Sequence, residues 1–137
     1  MARVDLVDET FVVAAPEEVA AVVHDPARWA RWWPDLDLTV FMDRGTAGIR
    51  WSVTGGLYGS TEIWLEPVLD GVVVHYYLRA DDGEPGASAR SDPGSPRSRR
   101  VSDRLRDRRA RAWKRSVNAL MDELEAGRAP GLPRAPR

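Results

Sequence analysis

Between Val4 and Ala14 the chain places Thr10, Phe11, Val12 and Val13, residues that fit a pleated, half-buried surface and predict a first strand. The period then changes. Pro16 suits the first position of a helix, Glu17 and Glu18 complement its positive end, and Val19, Val22 and Val23 recur at helical spacing. Asp25-Pro26 restarts the pattern as cap and first residue of a short second helix, which carries Trp29, Trp32 and Trp33 and stops at Pro34. Four strand-like runs follow. Leu36, Leu38, Val40 and Met42 alternate with Asp37, Thr39, Phe41 and Asp43, and Ile49, Trp51 and Val53 alternate with Arg50, Ser52 and Thr54. Tyr58–Glu66 and Val72–Arg79 are the third and fourth runs. Short connections at Arg44-Gly45, Gly55-Gly56-Leu57 and Asp70-Gly71 predict hairpins, hence an antiparallel meander with one packed and one wetter face.

From Asp81 to Ser98 the chain is rich in Gly, Pro, Ser and Asp and reads as a flexible loop. A long helix is predicted from about Val101 to Ala126, with an apolar stripe of Leu105, Ala112, Trp113, Val117, Leu120, Met121 and Leu124. Gly127 stands where a left-handed stop belongs, and Pro130 follows. The expectation is one α+β domain over 1–127, with the loop at about 81–98 and a frayed tail over 128–137.

A chain of 137 residues buries roughly two-thirds of its unfolded surface, enough for one core. With no Cys, disulfides and thiolate metal sites are excluded, which suits a reducing, cytoplasmic setting. Residues 1–15 lack the basic start and apolar run of a signal peptide, and no apolar run approaches the ~20 residues of a membrane span. Charge is divided unevenly. Residues 1–96 hold 7 basic and 16 acidic side chains, whereas residues 97–137 hold 13 basic and 5 acidic. Such a split can mark a nucleic-acid contact, but the basic block shares its helix with an apolar stripe. Its arginines are expected to be a solvated face that pairs with the acidic body, and no nucleic-acid partner is expected.

Four features carry candidate chemistry. Thr54-Gly55-Gly56-Leu57-Tyr58-Gly59 is glycine-rich but lacks the Lys-Ser/Thr and following helix of a phosphate loop, so it reads as a hairpin. His24 and His75 are the only histidines, and no metal site is proposed on them. His75 is a candidate general base, because an unperturbed histidine side chain changes charge near neutrality; it shares a strand face with Tyr77 and Arg79, and points to solvent if the Val72, Val74, Tyr76, Leu78 face is the inner one. Glu62 shares a face with Tyr58, Ser60, Trp64 and Glu66; turned inward it would be a desolvated carboxylate suited to proton transfer. The opposite face, Thr61, Ile63 and Leu65, is equally eligible to face inward. Trp29, Trp32 and Trp33 share one face of their helix, and either plug the end of the sheet or contact a ligand.

The order of strand, two short helices, meander and long terminal helix resembles the helix-grip superfamily of START-like and polyketide cyclase/dehydrase-like bacterial proteins. The likeness spans about residues 3–126 and rests on Pro16-x2-Val19, Asp25-Pro26-x2-Trp29-x2-Trp32-Trp33-Pro34, Gly48 to Trp51, Trp64-Leu65-Glu66-Pro67, Asp70-Gly71 and Val74 to Tyr76. It implies a curved antiparallel sheet wrapped around the last helix and a cavity between them. Only five strands are evident where many relatives have six or seven, and the 81–98 loop takes the place of the missing pair. A cavity of that kind would be lined by Trp29, Trp32 and Trp33, by Trp51 and Tyr76 from the strands, and by Trp113, Val117 and Met121 from the long helix. Arg50, Tyr58, Glu62 and Trp64 join it if their faces turn inward. The resemblance implies binding or carrying of a hydrophobic small molecule (a lipid, polyketide or aromatic metabolite), with no cofactor. The alternatives are an aromatase/cyclase-type enzyme using Glu62, His75 or Tyr76, and an interaction module built on the Arg-rich helix.

Overall fold

The computed structural model describes residues 3–83 and 96–125. Most of the expected 81–98 loop, the Gly127 stop and the 128–137 tail therefore lie outside the described residues. The elements run β1 (Arg3–Val12), α1 (Pro16–Val23), α2 (Pro26–Trp32), β2 (Leu36–Asp43), a 3-10 turn (Gly45–Ala47), β3 (Gly48–Gly55), β4 (Tyr58–Val68), β5 (Gly71–Asp81) and α3 (Pro96–Glu125). The five strands form one sheet in the order β1-β5-β4-β3-β2, and every neighbouring pair is antiparallel. This is the helix-grip α+β architecture, with α3 held against one face of the sheet.

Local chemistry sets the boundaries. Asp25 caps α2 by accepting the Ala27 N–H at 3.0 Å, and Pro26 opens the helix. α3 starts at Pro96, earlier than the expected Val101, because proline is at home at a first helical position and the arginines after it are good helix formers. Gly48, which opens β3, has φ +123, and a Cβ there would collide with the Ile63 carbonyl on β4. The β4–β5 turn passes through Leu69, which is non-glycine at φ 54 and 98% exposed.

The inner face follows period 2. Val4, Leu6 and Val12 of β1, Ile49, Trp51 and Val53 of β3, Thr61, Ile63 and Leu65 of β4, and Val72, Val74, Tyr76, Leu78 and Ala80 of β5 are all buried. The sequence left two faces of β4 eligible; the more apolar one took the core, as transfer from water favours. Against this face α3 buries Trp113, Val117, Leu120 and Leu124 and packs Met121 and Leu105, while α1 buries Val19, Ala20 and Val23.

The alternation expected through β2 breaks. A bulge between Val40 and Met42 leaves Phe41 unpaired, and Met42 pairs with the outward-facing Arg50. Phe41 lies under the Arg50 guanidinium, 5.3 Å from ring centroid to carbon.

Charge ties α3 to the body at several points. Arg109 Nη1 donates to Asp35 Oδ1 at 2.9 Å, with a second bond from Nη2 to Oδ2. Lys114 Nζ lies 2.8 Å from Asp8 Oδ1, and Glu125 accepts the Val13 N–H at 3.0 Å. Part of the basic block thus does pair with the acidic body, while Arg106 pairs with Asp103 and Asp107 on its own helix.

Candidate functional site: the aromatic interior and its α2 cover

Where β3, β5 and α3 converge, large rings fill the space between sheet and helix. Trp33, Trp51, Tyr76 and Trp113 are each no more than 3% exposed. Tyr76 stacks on Trp113 with centroids 4.2 Å apart at 19°, and Trp33 lies nearly parallel to both, at 5.9 Å from Tyr76 and 6.0 Å from Trp113. Trp51 meets Trp33 edge-on at 5.3 Å. Offset and edge-to-face contacts of this kind add about 0.5–1.5 kcal/mol per pair beyond area burial. Val117 and Met121 extend the apolar wall along α3.

α2 closes the end of this stack and is held lightly. None of its own residues is fully buried. Trp29 meets Trp51 edge-on at 5.1 Å and donates its indole N–H to Val23 O at 2.7 Å. Trp32 touches Trp33 at 5.6 Å and Trp113 at 5.9 Å, again edge-on. Arg28 clasps Glu123 of α3 through two hydrogen bonds of 2.7 and 2.6 Å. That pairing raises the Arg28 pKa and lowers that of Glu123.

Two open grooves flank α2. One, of about 490 Å³, runs between α2 and α3 over Trp32, Pro34, Ala112, Ala119 and Leu120, with Arg28, Arg31, Arg115 and Glu123 on its rim. The other, of about 250 Å³, lies toward β2 and is lined by Trp29, Ala30, Leu36, Asp37 and Leu38. An enclosed cavity beside this helix was the expectation. The described residues instead show a ring-filled interior with open grooves on both sides of its cover.

Polar groups in the interior are few and mostly paired. Trp113 Nε1 donates to Asp8 Oδ2 at 3.1 Å, and Asp8 also accepts from Thr10 at 3.1 Å. Burial pushes the Tyr76 phenol up to about 12, with Thr61 and Trp33 beside its hydroxyl opposing the rise. Tyr76 therefore stays protonated at neutral pH and can donate a hydrogen bond. Trp51 Nε1 is buried with no partner.

The remaining expected site residues stand on the opposite face of the sheet. Arg50, Tyr58, Glu62, Trp64 and His75 all project outward, since their strand neighbours in sequence are the buried ones. Glu62 sits between Arg44, at 3.2 Å, and Arg50, at 3.8 Å. These cations, rather than an apolar pocket, are its setting. His75 faces outward as expected but is not solvated; it is 6% exposed, stacked on Trp64 at 4.3 Å, with Glu66 at 3.0 Å and Glu9 at 3.4 Å. A shallow outer pocket of about 360 Å³ runs from Asp5 and Val7 across Tyr77 to Arg50 and Glu62. Among the described residues no cluster of three or more His, Asp or Glu side chains is arranged to hold a metal ion, and no helix is long and apolar enough to cross a membrane.

Asp8 and Thr10 were missed as residues of the inner face, whereas Thr61 stood on a face already eligible for it. The signal was available: Asp8 and Thr10 interrupt the apolar series Val4, Leu6, Val12 on β1, and a polar residue on an inner face needs a partner there.

The fold is shared with several solved structures. The Aha1 dimer from Colwellia psychrerythraea matches with a TM-score of 0.56 at 14% identity, over 94% of this chain and 100% of that one. The polyketide-cyclase-like protein Cgl2372 from Corynebacterium glutamicum matches with a TM-score of 0.52 at 16% identity, over 92% of this chain and 96% of its own. The di-domain ARO/CYC StfQ of the steffimycin biosynthetic pathway matches with a TM-score of 0.55 at 16% identity, over 89% of this chain but only 52% of StfQ. No family model and no curated protein sequence matches the chain. At these identities the likeness is one of fold, the helix-grip architecture.

Proposed function

We propose that this chain is a cytoplasmic binding or carrier domain for a hydrophobic small molecule (a lipid, polyketide or aromatic metabolite), taken up between the sheet and α3 beneath α2. One observation carries the reading. A stack of nearly parallel rings, Trp33, Tyr76 and Trp113, is covered by a helix that buries none of its own residues fully and has an open groove on each side. Ring faces of that size suit a flat apolar ligand, and grooves of about 250 and 490 Å³ approach or reach the span of ligand sites, roughly 300–1,000 Å³. Trp29 and Trp32 are the side chains that would have to turn aside. An enzymatic reading loses two of its three proton-transfer candidates, because Glu62 and His75 face outward; Tyr76, held as a neutral phenol, would serve to hydrogen-bond a ligand carbonyl.

Titration with a polycyclic aromatic probe tests this. Saturable quenching of Trp fluorescence together with a concentration-dependent rise in melting temperature is expected, because ligand binds only the folded state. A broad panel of apolar probes that gives neither effect would overturn the proposal, and native mass spectrometry of freshly purified protein gives the mass of any ligand that travels with it.

A further inference from the structure

Among the indole N–H groups in or beside the interior, those of Trp29, Trp51 and Trp113 differ in one respect. Trp29 donates to Val23 O at 2.7 Å and Trp113 donates to Asp8 at 3.1 Å. Trp51, which is 0% exposed, has no acceptor at all. Its cross-strand neighbours do not supply one: Val40 is apolar, and the Thr61 hydroxyl, which donates to Tyr77 O at 2.9 Å, does not accept from the indole. Edge-to-face contacts with Trp29 and Trp33 offer at best ring faces, which are weak acceptors. A stranded buried donor is penalised, and buried polar groups in folded proteins are otherwise almost all paired. A phenylalanine at this position would fill much of the same space without that penalty.

From this we infer that Trp51 Nε1 is the specificity contact for a hydrogen-bond acceptor on the ligand, so that the ligand class is a planar ring system bearing a carbonyl oxygen. The inference rests on the proposed carrier reading and names the ligand chemistry of that same site. Access runs past Trp29. This side chain lines the groove toward β2 and also abuts Trp51, so turning it out joins the groove to the unpaired N–H. A bond to Val23 O, the edge contact and partial burial against the core hold it in place, without full burial. An incoming ring replaces the Trp29 edge against Trp51, and its carbonyl accepts the Trp51 N–H. Tyr76, protonated at neutral pH, is a second donor in the same stack. Two donors on the interior wall, with no carboxylate between them on β3 and β5, select an acceptor-bearing ligand over a plain hydrocarbon.

A matched pair of probes tests this: anthraquinone-2-sulfonate, which bears ring carbonyls, and anthracene-2-sulfonate, which does not. On the wild-type protein the quinone is expected to bind about tenfold more tightly, the range of one buried hydrogen bond made or left unmade. Trp51→Phe should erase that preference, the two probes then binding within about twofold of each other, and should not lower the melting temperature through hydrogen-bond loss, since no bond exists to lose. A readout on the unaltered protein covers the case in which Trp51→Phe does not fold. In a 15N–1H correlation spectrum, the Trp51 indole resonance should move downfield with the quinone and not with anthracene. Equal affinity for the two probes, with the Trp51 resonance responding alike to both, overturns the Trp51 assignment and leaves the carrier reading standing. If neither probe binds, both fall together.

Discussion

Replacing Trp32 and Trp113 separately by alanine measures whether α2 is a cover or a permanent part of the core. Trp113 is 3% exposed, stacks on Tyr76 at 4.2 Å and is bonded to Asp8. A buried tryptophan removes roughly 150–250 Å² from water, which at ~25 cal/mol per Å² is about 4–6 kcal/mol. Truncation of a core aromatic to alanine typically costs about 3–5 kcal/mol. Trp32 is only partly buried and keeps two edge contacts, to Trp33 and Trp113. At about 0.5–1.5 kcal/mol per contact, with a modest area term, its loss should cost about 1–2 kcal/mol. The gap between the variants, about 1–4 kcal/mol, is a sizeable part of the ~5–15 kcal/mol that holds a typical domain together. Urea unfolding followed by circular dichroism resolves it, provided the denaturant slope stays constant so that midpoints report stability. Fluorescence would confuse the comparison, because both substitutions remove a fluorophore. Because the two rings touch, the double variant should depart from additivity. Equal losses for Trp32→Ala and Trp113→Ala would refute the idea that α2 is a lightly held cover, and the route past it would go with it.

Other consequences are simpler to state. The hydrogen-bonded Arg109 guanidinium holds Asp35 below the usual carboxylate range; a depressed folded pKa gives stability that is present above the unfolded value of about 4 and lost as pH falls through the folded one. Asp35→Asn should therefore flatten the acid limb of the stability profile and cost less than about 1 kcal/mol at pH 7, where the half-exposed pair is screened; an unchanged acid limb argues against the pairing. Leu69→Asn should raise stability by up to about 1 kcal/mol, because asparagine tolerates positive φ and the leucine is 98% exposed; a lowered melting temperature would show that the turn needs leucine. Gly48→Ala combines a backbone unsuited to a side chain with a collision at the Ile63 carbonyl, and should cost roughly 3 kcal/mol or more; a melting temperature within a few degrees of wild type would show that the β3–β4 pairing yields there.

The elements were legible because local signals agreed with the tertiary fold. Asp25-Pro26 opened a helix, Asp70-Gly71 closed a hairpin, and the stripe from Trp113 to Leu124 met the sheet. Where the reading slipped, a competing principle is identifiable. Pro96 and its arginines looked like loop composition, yet proline at a first turn and arginine within it are both helix-compatible. The β2 bulge could not be seen, because an extra residue leaves the count of apolar and polar positions intact while moving Met42 to the outer side.

The site was harder to read because both faces of this sheet carry aromatic residues. On β4, Tyr58, Glu62 and Trp64 made the outer face as eligible for a pocket wall as the inner face of Thr61, Ile63 and Leu65. Apolarity favoured the face that took the core, but the aromatic outer face obscured that ranking, and which face α3 covers is a long-range fact. The outer aromatics are used differently from the inner ones. Trp64, opposite His75 on β4, and Tyr77, two residues along β5, stack with the imidazole, and Glu66 and Glu9 stand near its nitrogens, which buries it without any covering helix. The inner rings leave Trp51 without an acceptor while the neighbouring indoles on α2 and α3 have theirs. Unpaired buried nitrogens, Trp51 Nε1 on the inner face and His75 Nδ1 on the outer, mark positions that aromatic content does not. They depend on what the rings fail to touch, and only the folded chain shows that.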